Sequence, residues 1–105
     1  MTIETITVQA LRQQLNASSP TLQLIDVRTP QEHAAYNIGG MLIPLDTLAH
    51  RLNEIDKTRP IVVYCQAGIR SAKAADILHA HGYESVYSLA GGMEAWKTSE
   101  PTCTH

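Results

Sequence analysis

Thiols are scarce in this chain and long apolar runs are missing. Its 105 residues hold two cysteines, Cys65 and Cys103, which form neither a C-x-x-C pair nor a disulfide framework. A domain of this size buries roughly 65% of its unfolded surface, so it needs no covalent or metal staple to fold. No stretch approaches the roughly 20 apolar residues required to cross a bilayer. The opening MTIETITVQA is neither basic nor continuously apolar, which argues against a secretory leader. Charge is modest as well. Charged residues make up 17% of the chain, the net charge is −2 and the pI is about 6.2, so nothing draws it toward nucleic acid or anionic membrane over long range. His33, His50, His79, His81 and His105 show no metal-ligand spacing and are expected at the surface. These absences predict one domain over residues 1–105 in a reducing compartment, the cytoplasm. They predict no metal, no cofactor, and no nucleic-acid or membrane partner. Residues 98–105 are expected to fray.

Short β-rich runs stand out against this background. Leu22–Ile25 leads to Asp26, Ile61–Tyr64 leads to Cys65, and Val86–Leu89 leads to Ala90-Gly91-Gly92. The Ile61 run is apolar at every position, as in a strand covered on both faces. Minor strands are expected at Leu42-Ile43 and between Ile3 and Ile6. Helical patterns lie between the strands. Thr7 caps a segment through Asn16 with Ala10, Leu11 and Leu15 on one face. Thr29-Pro30-Gln31-Glu32 matches a capping box with proline at the first helical position. Asp46 is expected to cap a helix carrying Leu48, Leu52 and Ile55. Ser71 is expected to open another, with Ala74, Ala75 and Leu78 inward and Gly82 as its stop, and Met93–Lys97 forms a last short one. Strands alternating with helices predict an α/β fold, a parallel sheet with helices on both faces.

YCQAGIRS, residues 64–71, places one thiol at the end of the most apolar strand. In open α/β sheets ligands sit beyond the C-terminal ends of the strands. The next helix turns its free N–H groups and its dipole back at the loop. Gly68 permits a positive φ there, and Arg70 adds a full charge. Each of these favours thiolate over thiol. A free cysteine titrates at about 8.5, and lowering that by ~2 units takes ~2.7 kcal/mol. Hydrogen bonds to a charged group supply ~1.5–3 kcal/mol each, so several inward N–H groups suffice without a histidine base. Cys65 is therefore the candidate nucleophile.

Four separated segments then carry a family resemblance. They are DVRTPQEH (Asp26–His33), NIGGMLIPL (Asn37–Leu45), IVVYCQAGIRSAKAA and GYESVYSLAGGMEAW. In order and spacing, over Thr5 to Pro101, the chain resembles a single-domain rhodanese, a thiosulfate sulfurtransferase. The resemblance implies a five-stranded parallel sheet and a ping-pong reaction. Cys65 would take the outer sulfur of thiosulfate or a related donor. The resulting persulfide would be cradled by the N–H groups of Gln66, Ala67, Gly68, Ile69, Arg70 and Ser71, and Arg70 would bind the anionic donor. Cyanide or a thiol would accept the sulfur. A covalent intermediate of this kind divides one hard transfer into two easier ones. The NIGGMLIPL segment departs from the family: it is one residue short, Tyr36-Asn37 stands where Gly-His is frequent, and Met41 replaces a small residue.

Asp26 and Arg28 end a strand at the same edge and are expected to brace the loop. Lys73 is expected in solvent, Trp96 and Tyr87 in the core, Gly91-Gly92 in a tight turn, and Cys103 as a bystander in the tail. Three other functions deserve comparison. A cysteine-loop phosphatase needs Cys-x5-Arg, but here Ser71 occupies the arginine position, and the shorter ring disfavours arsenate reduction too. A non-catalytic binding module has no need of the cysteine. A persulfide carrier feeding a sulfur-relay or sulfide-oxidation partner needs the same loop as the enzyme, so the sequence leaves that alternative open.

Overall fold

The run Ile61–Tyr64 is buried at all four positions because both faces of its sheet are covered. In the computed structural model, which describes residues 4–16 and 21–99, this run is the central strand β4 (Ile61–Tyr64). The others are β1 (Thr5–Ile6), β2 (Gln23–Asp26), β3 (Met41–Leu42) and β5 (Val86–Leu89), and the five pair in parallel in the order β1-β5-β4-β2-β3. Successive side chains on a strand point to opposite faces. Leu24, Val62, Tyr64 and Leu89 thus pack against α1 (Val8–Leu15) and α4 (Gly92–Thr98), through Val8, Leu11, Met93 and Trp96. Ile25, Ile61, Val63 and Cys65 face α3 (Ile69–Ala80), through Ala74, Ala75 and Leu78. α2 (Pro30–Ala35) follows β2 and buries no residue. None of the helices among the described residues is long and apolar enough to cross a membrane.

Local signals set most of the boundaries. Thr7 caps α1 by accepting from the Ala10 N–H at 3.1 Å. Thr29 and Glu32 form the reciprocal capping box of α2, behind Pro30. α3 ends where the Gly82 N–H bonds His79 O at 3.1 Å and the Tyr83 N–H bonds Leu78 O at 3.0 Å, a Schellman motif.

Three expectations are corrected. First, Asp46 does not cap an α-helix. Leu45–His50 and Leu52–Glu54 are two 3₁₀ turns, and Asp46 sits inside the first of them. Residues three apart stack in a 3₁₀ turn. Leu45 and Leu48, and Leu52 and Ile55, have that spacing and cover the α3 side of the sheet. Second, α3 starts at Ile69, two residues before Ser71, because Gly68 takes the N-cap at φ +102° and Ile69 needs no burial, being 71% exposed. Third, α4 runs from Gly92 through Thr98, one residue beyond each end of the expected Met93–Lys97, with Ser99 at its C-cap. Residues 100–105, Cys103 among them, lie outside the described residues.

Candidate active site

All five strands run the same way, so their C-terminal ends share one edge. There Asp26 lies beside Tyr64 in register, which places the β2 exit next to Cys65. Cys65 is 1% exposed. Its Sγ accepts from the Gly68 N–H at 3.0 Å and the Ser71 N–H at 3.3 Å. Gly68, the N-cap of α3, has no side chain to satisfy the helix's first free N–H groups. The sulfur takes that place, in the position where a serine or aspartate oxygen commonly sits.

The other side of the loop is tied to α4. The Met93 N–H bonds Cys65 O at 2.8 Å and the Glu94 N–H bonds Gln66 O at 3.0 Å. A trans peptide points its N–H opposite its carbonyl, so the N–H groups of Gln66 and Ala67 face away from α4. This close approach requires glycine at residue 92. A Cβ there would lie 2.4 Å from Cys65 O and 2.8 Å from Gln66 C, and its φ is +59°. Among the described residues, then, two of the six loop N–H groups expected around the sulfur reach it in this geometry, those of Gly68 and Ser71. Ala67 and Ile69 turn their side chains to solvent. Ser71 Oγ lies 3.5 Å from Sγ, with the thiol donating, and 3.2 Å from Gly68 O. It is also 2.6 Å from Ser88 Oγ on β5.

Two arginine–carboxylate pairs flank the loop. Asp26, fully buried, accepts from the Arg28 N–H at 2.9 Å, from Arg28 Nε at 3.0 Å and from Arg28 Nη2 at 2.9 Å. His33 Nδ1 lies 2.8 Å from the same carboxylate. Burial alone would raise the Asp26 pKa. The bonds from Arg28 and His33 outweigh it and hold the carboxyl below its ordinary range. Arg28 also donates to Tyr36 O and, at 3.4 Å, to Gln66 Oε1 in the loop. The second pair joins Arg70 to Glu32 through two bonds of 2.8 and 3.0 Å. With the Arg70 bonds first and the Thr29 N–H second, the Glu32 carboxyl is lowered to about 2. Tyr64, whose side chain faces away from the thiol, donates to Gly39 O at 3.0 Å. Burial, then the nearby Asp26 charge, pushes its phenol up to about 12.

This geometry meets its relatives directly. The Rhodanese-like domain family matches residues 7–99. The chain belongs to the rhodanese-like family. It is 37% identical over 92 residues to thiosulfate sulfurtransferase GlpE of Shewanella oneidensis, an overlap covering 87% of this chain and 89% of that one. It is 43% identical over 75 residues to the uncharacterized protein YqhL of Bacillus subtilis, covering 70% of this chain but only 60% of that protein's length. The crystal structure of a rhodanese-like domain protein from Staphylococcus aureus superposes with a TM-score of 0.82 at 38% identity, over 90% of this chain and 91% of that one.

Within this rhodanese-like frame, the edge gathers Asp26, Arg28 and the residues from Cys65 to Ser71, as their places in the sequence lead one to expect. Three of its residues, Glu32, His33 and Ser88, take places that the sequence does not announce. Glu32 reads locally as a capping residue, yet it also holds Arg70, 38 residues away. His33, expected at the surface, is a quarter exposed and bonded to a buried carboxylate. The segment DVRTPQEH contains both, but nothing local says which side chains cross to the loop. Ser88 had no sequence signal beyond its place on a strand.

Proposed function

We propose that this protein is a sulfurtransferase that carries a sulfane sulfur on Cys65. In the first half-reaction the Cys65 thiolate attacks the outer sulfur of a donor. With thiosulfate, Cys65–S⁻ and S–SO₃²⁻ give Cys65–S–S⁻ and sulfite. The donor's S–S bond breaks, its electron pair leaves with sulfite, and a new S–S bond forms at Cys65. In the second half-reaction an acceptor takes the outer sulfur: cyanide becomes thiocyanate, or a thiolate becomes a persulfide, and Cys65–S⁻ returns. The reaction needs no redox partner and no cofactor in its balance.

The observation that carries this reading is the buried sulfur of Cys65 at the N-terminus of α3, taking N–H bonds from Gly68 and Ser71. Hydrogen bonds from N–H groups to a charged acceptor are the stronger class and favour negative charge on sulfur in both half-reactions. The same loop disfavours phosphoryl transfer. Only four residues separate Cys65 from Arg70, and that guanidinium is turned onto Glu32 rather than over the thiol. The Asp26–Arg28 pair acts as a brace, since Arg28 links the β2 exit to Tyr36 and Gln66.

Mass spectrometry after exposure to a sulfur donor tests the proposal. The protein is expected to gain one sulfur atom, thiosulfate is expected to yield sulfite, and Cys65→Ser is expected to lose both. An unchanged mass in the parent protein with every donor tried overturns it.

A further inference from the structure

The loop's one cation is already neutralised. Arg70 gives two guanidinium bonds to Glu32, and Glu32 is itself anchored by the Thr29 N–H at 3.0 Å and Thr29 Oγ1 at 3.2 Å. The carboxylate is thus fixed at its post, and it holds Arg70 there with it. The other arginine of this edge, Arg28, is committed to Asp26.

We propose that Glu32 sets the donor class of the site: by keeping Arg70 in a neutral pair it disfavours dianionic donors such as thiosulfate and leaves an organic persulfide, R–S–SH, as the preferred sulfur source. The inference rests on the sulfurtransferase reading and narrows it.

The cleft beside the loop supplies a second, independent reason. It has a volume of about 340 Å³ and is lined by the apolar Val27, Pro44 and Leu45 together with Arg28, Thr29, Asp46 and Arg70. Arg70, which lines the cleft, immediately precedes Ser71, whose N–H bonds the sulfur, so the cleft and the loop share that residue. Organic ligands occupy clefts of roughly 300–1,000 Å³ with mainly apolar walls and a few placed polar groups. A bare inorganic anion fills little of such a space and gains nothing from Val27, Pro44 or Leu45. Both guanidinium groups that line the cleft are paired, Arg28 with Asp26 and Arg70 with Glu32, and the carboxylate of Asp46 lines it as well. A dianion entering there meets no uncompensated cation from the β2 exit, α2 or the start of α3. Lys73, one turn further along α3, points to solvent.

Transfer from the inferred donor balances without an outside reagent. Cys65–S⁻ attacks the outer sulfur of R–S–SH, giving Cys65–S–SH and R–S⁻. The donor's S–S bond breaks, its electron pair leaves on the organic thiolate, and the proton stays on the transferred sulfur.

The test compares thiosulfate with a small alkyl persulfide, N-acetylcysteine persulfide, on the parent protein and Glu32→Gln. Glutamine retains the capping box, so α2 keeps its start. The parent protein is expected to show the higher kcat/KM with the persulfide. In E32Q the KM for thiosulfate is expected to fall roughly fivefold, as befits one partly screened charge, while the persulfide KM moves less than about twofold and kcat holds. A second readout needs no turnover: sulfite protecting Cys65 against iodoacetamide is expected to act at lower concentration in E32Q. A parent protein that prefers thiosulfate overturns the inference, as does an E32Q that shifts both donors alike or leaves sulfite protection unchanged. Failure of both donors with the parent protein brings down the sulfurtransferase reading instead, and the protection assay then still decides whether Glu32 excludes anions.

Discussion

The two arginine–carboxylate pairs beside the loop use the same chemistry in different surroundings. Asp26 and Arg28 are 0% and 3% exposed, and their bonds interlock with His33, Tyr36 and Gln66. Arg70 and Glu32 are each a third exposed, and Arg70 lines the cleft. A buried pair is costly to break, because the surviving charge has no water to turn to. A pair in partial contact with solvent contributes little to stability and is easily exchanged. On the proposed reading the inner pair braces the loop, and the outer pair decides what the loop receives.

The contrast breaks most visibly at the inner pair. Asp26→Asn leaves the Arg28 charge buried without a counter-ion and is expected to cost about 3–5 kcal/mol in urea unfolding. The corresponding change at the mouth, Glu32→Gln, is expected to cost less than about 1 kcal/mol. Equal losses at the two sites would erase the distinction. Gly92→Ala tests whether the loop's support from α4 matters as much as its support from Arg28. The added methyl meets the Cys65 and Gln66 backbone, so it is expected to cost about 1–3 kcal/mol and to slow Cys65 alkylation. An alanine variant with parent stability and parent reactivity would show that the loop tolerates displacement there.

The smallest effect is in acid. Both carboxyls titrate lower in the folded protein than in the unfolded chain. Their stabilisation is complete above the ordinary carboxylate range and is lost as pH falls, for Glu32 between about 4.5 and about 2. The acid limb of a stability-versus-pH curve is expected to be shallower over that window in E32Q than in the parent protein. Superimposable curves would mean that Glu32 gains nothing from Arg70 in the fold.

How much of this was legible beforehand follows from the range of each signal. The β4 run, the capping box at Thr29 and the glycine stop of α3 depend on residues within a few positions of one another, and all appear in the structure as read. The stretch from Asp46 to Ile55 misled because apolar residues three and four apart fit both an α-helix and a pair of 3₁₀ turns. Packing against the α3 side of the sheet made the choice. α3 starts two residues before Ser71 because Gly68, at positive φ, takes the N-cap, a conformation that the inward stripe of Ala74, Ala75 and Leu78 does not reveal.

By itself the sequence determined a lone thiol at the end of a doubly covered strand, followed within a few residues by a helix that stops at Gly82. Such features need only the neighbours along the chain and the period of the side chains. The tertiary structure alone decided which groups confront that thiol. Glu32 meets Arg70, Arg28 meets Gln66, Ser88 meets Ser71 and Gly92 meets the Cys65 carbonyl only because β2, β4 and β5 lie side by side with their ends on one edge. Contacts between residues that far apart are set by strand order and register, and no local pattern encodes them.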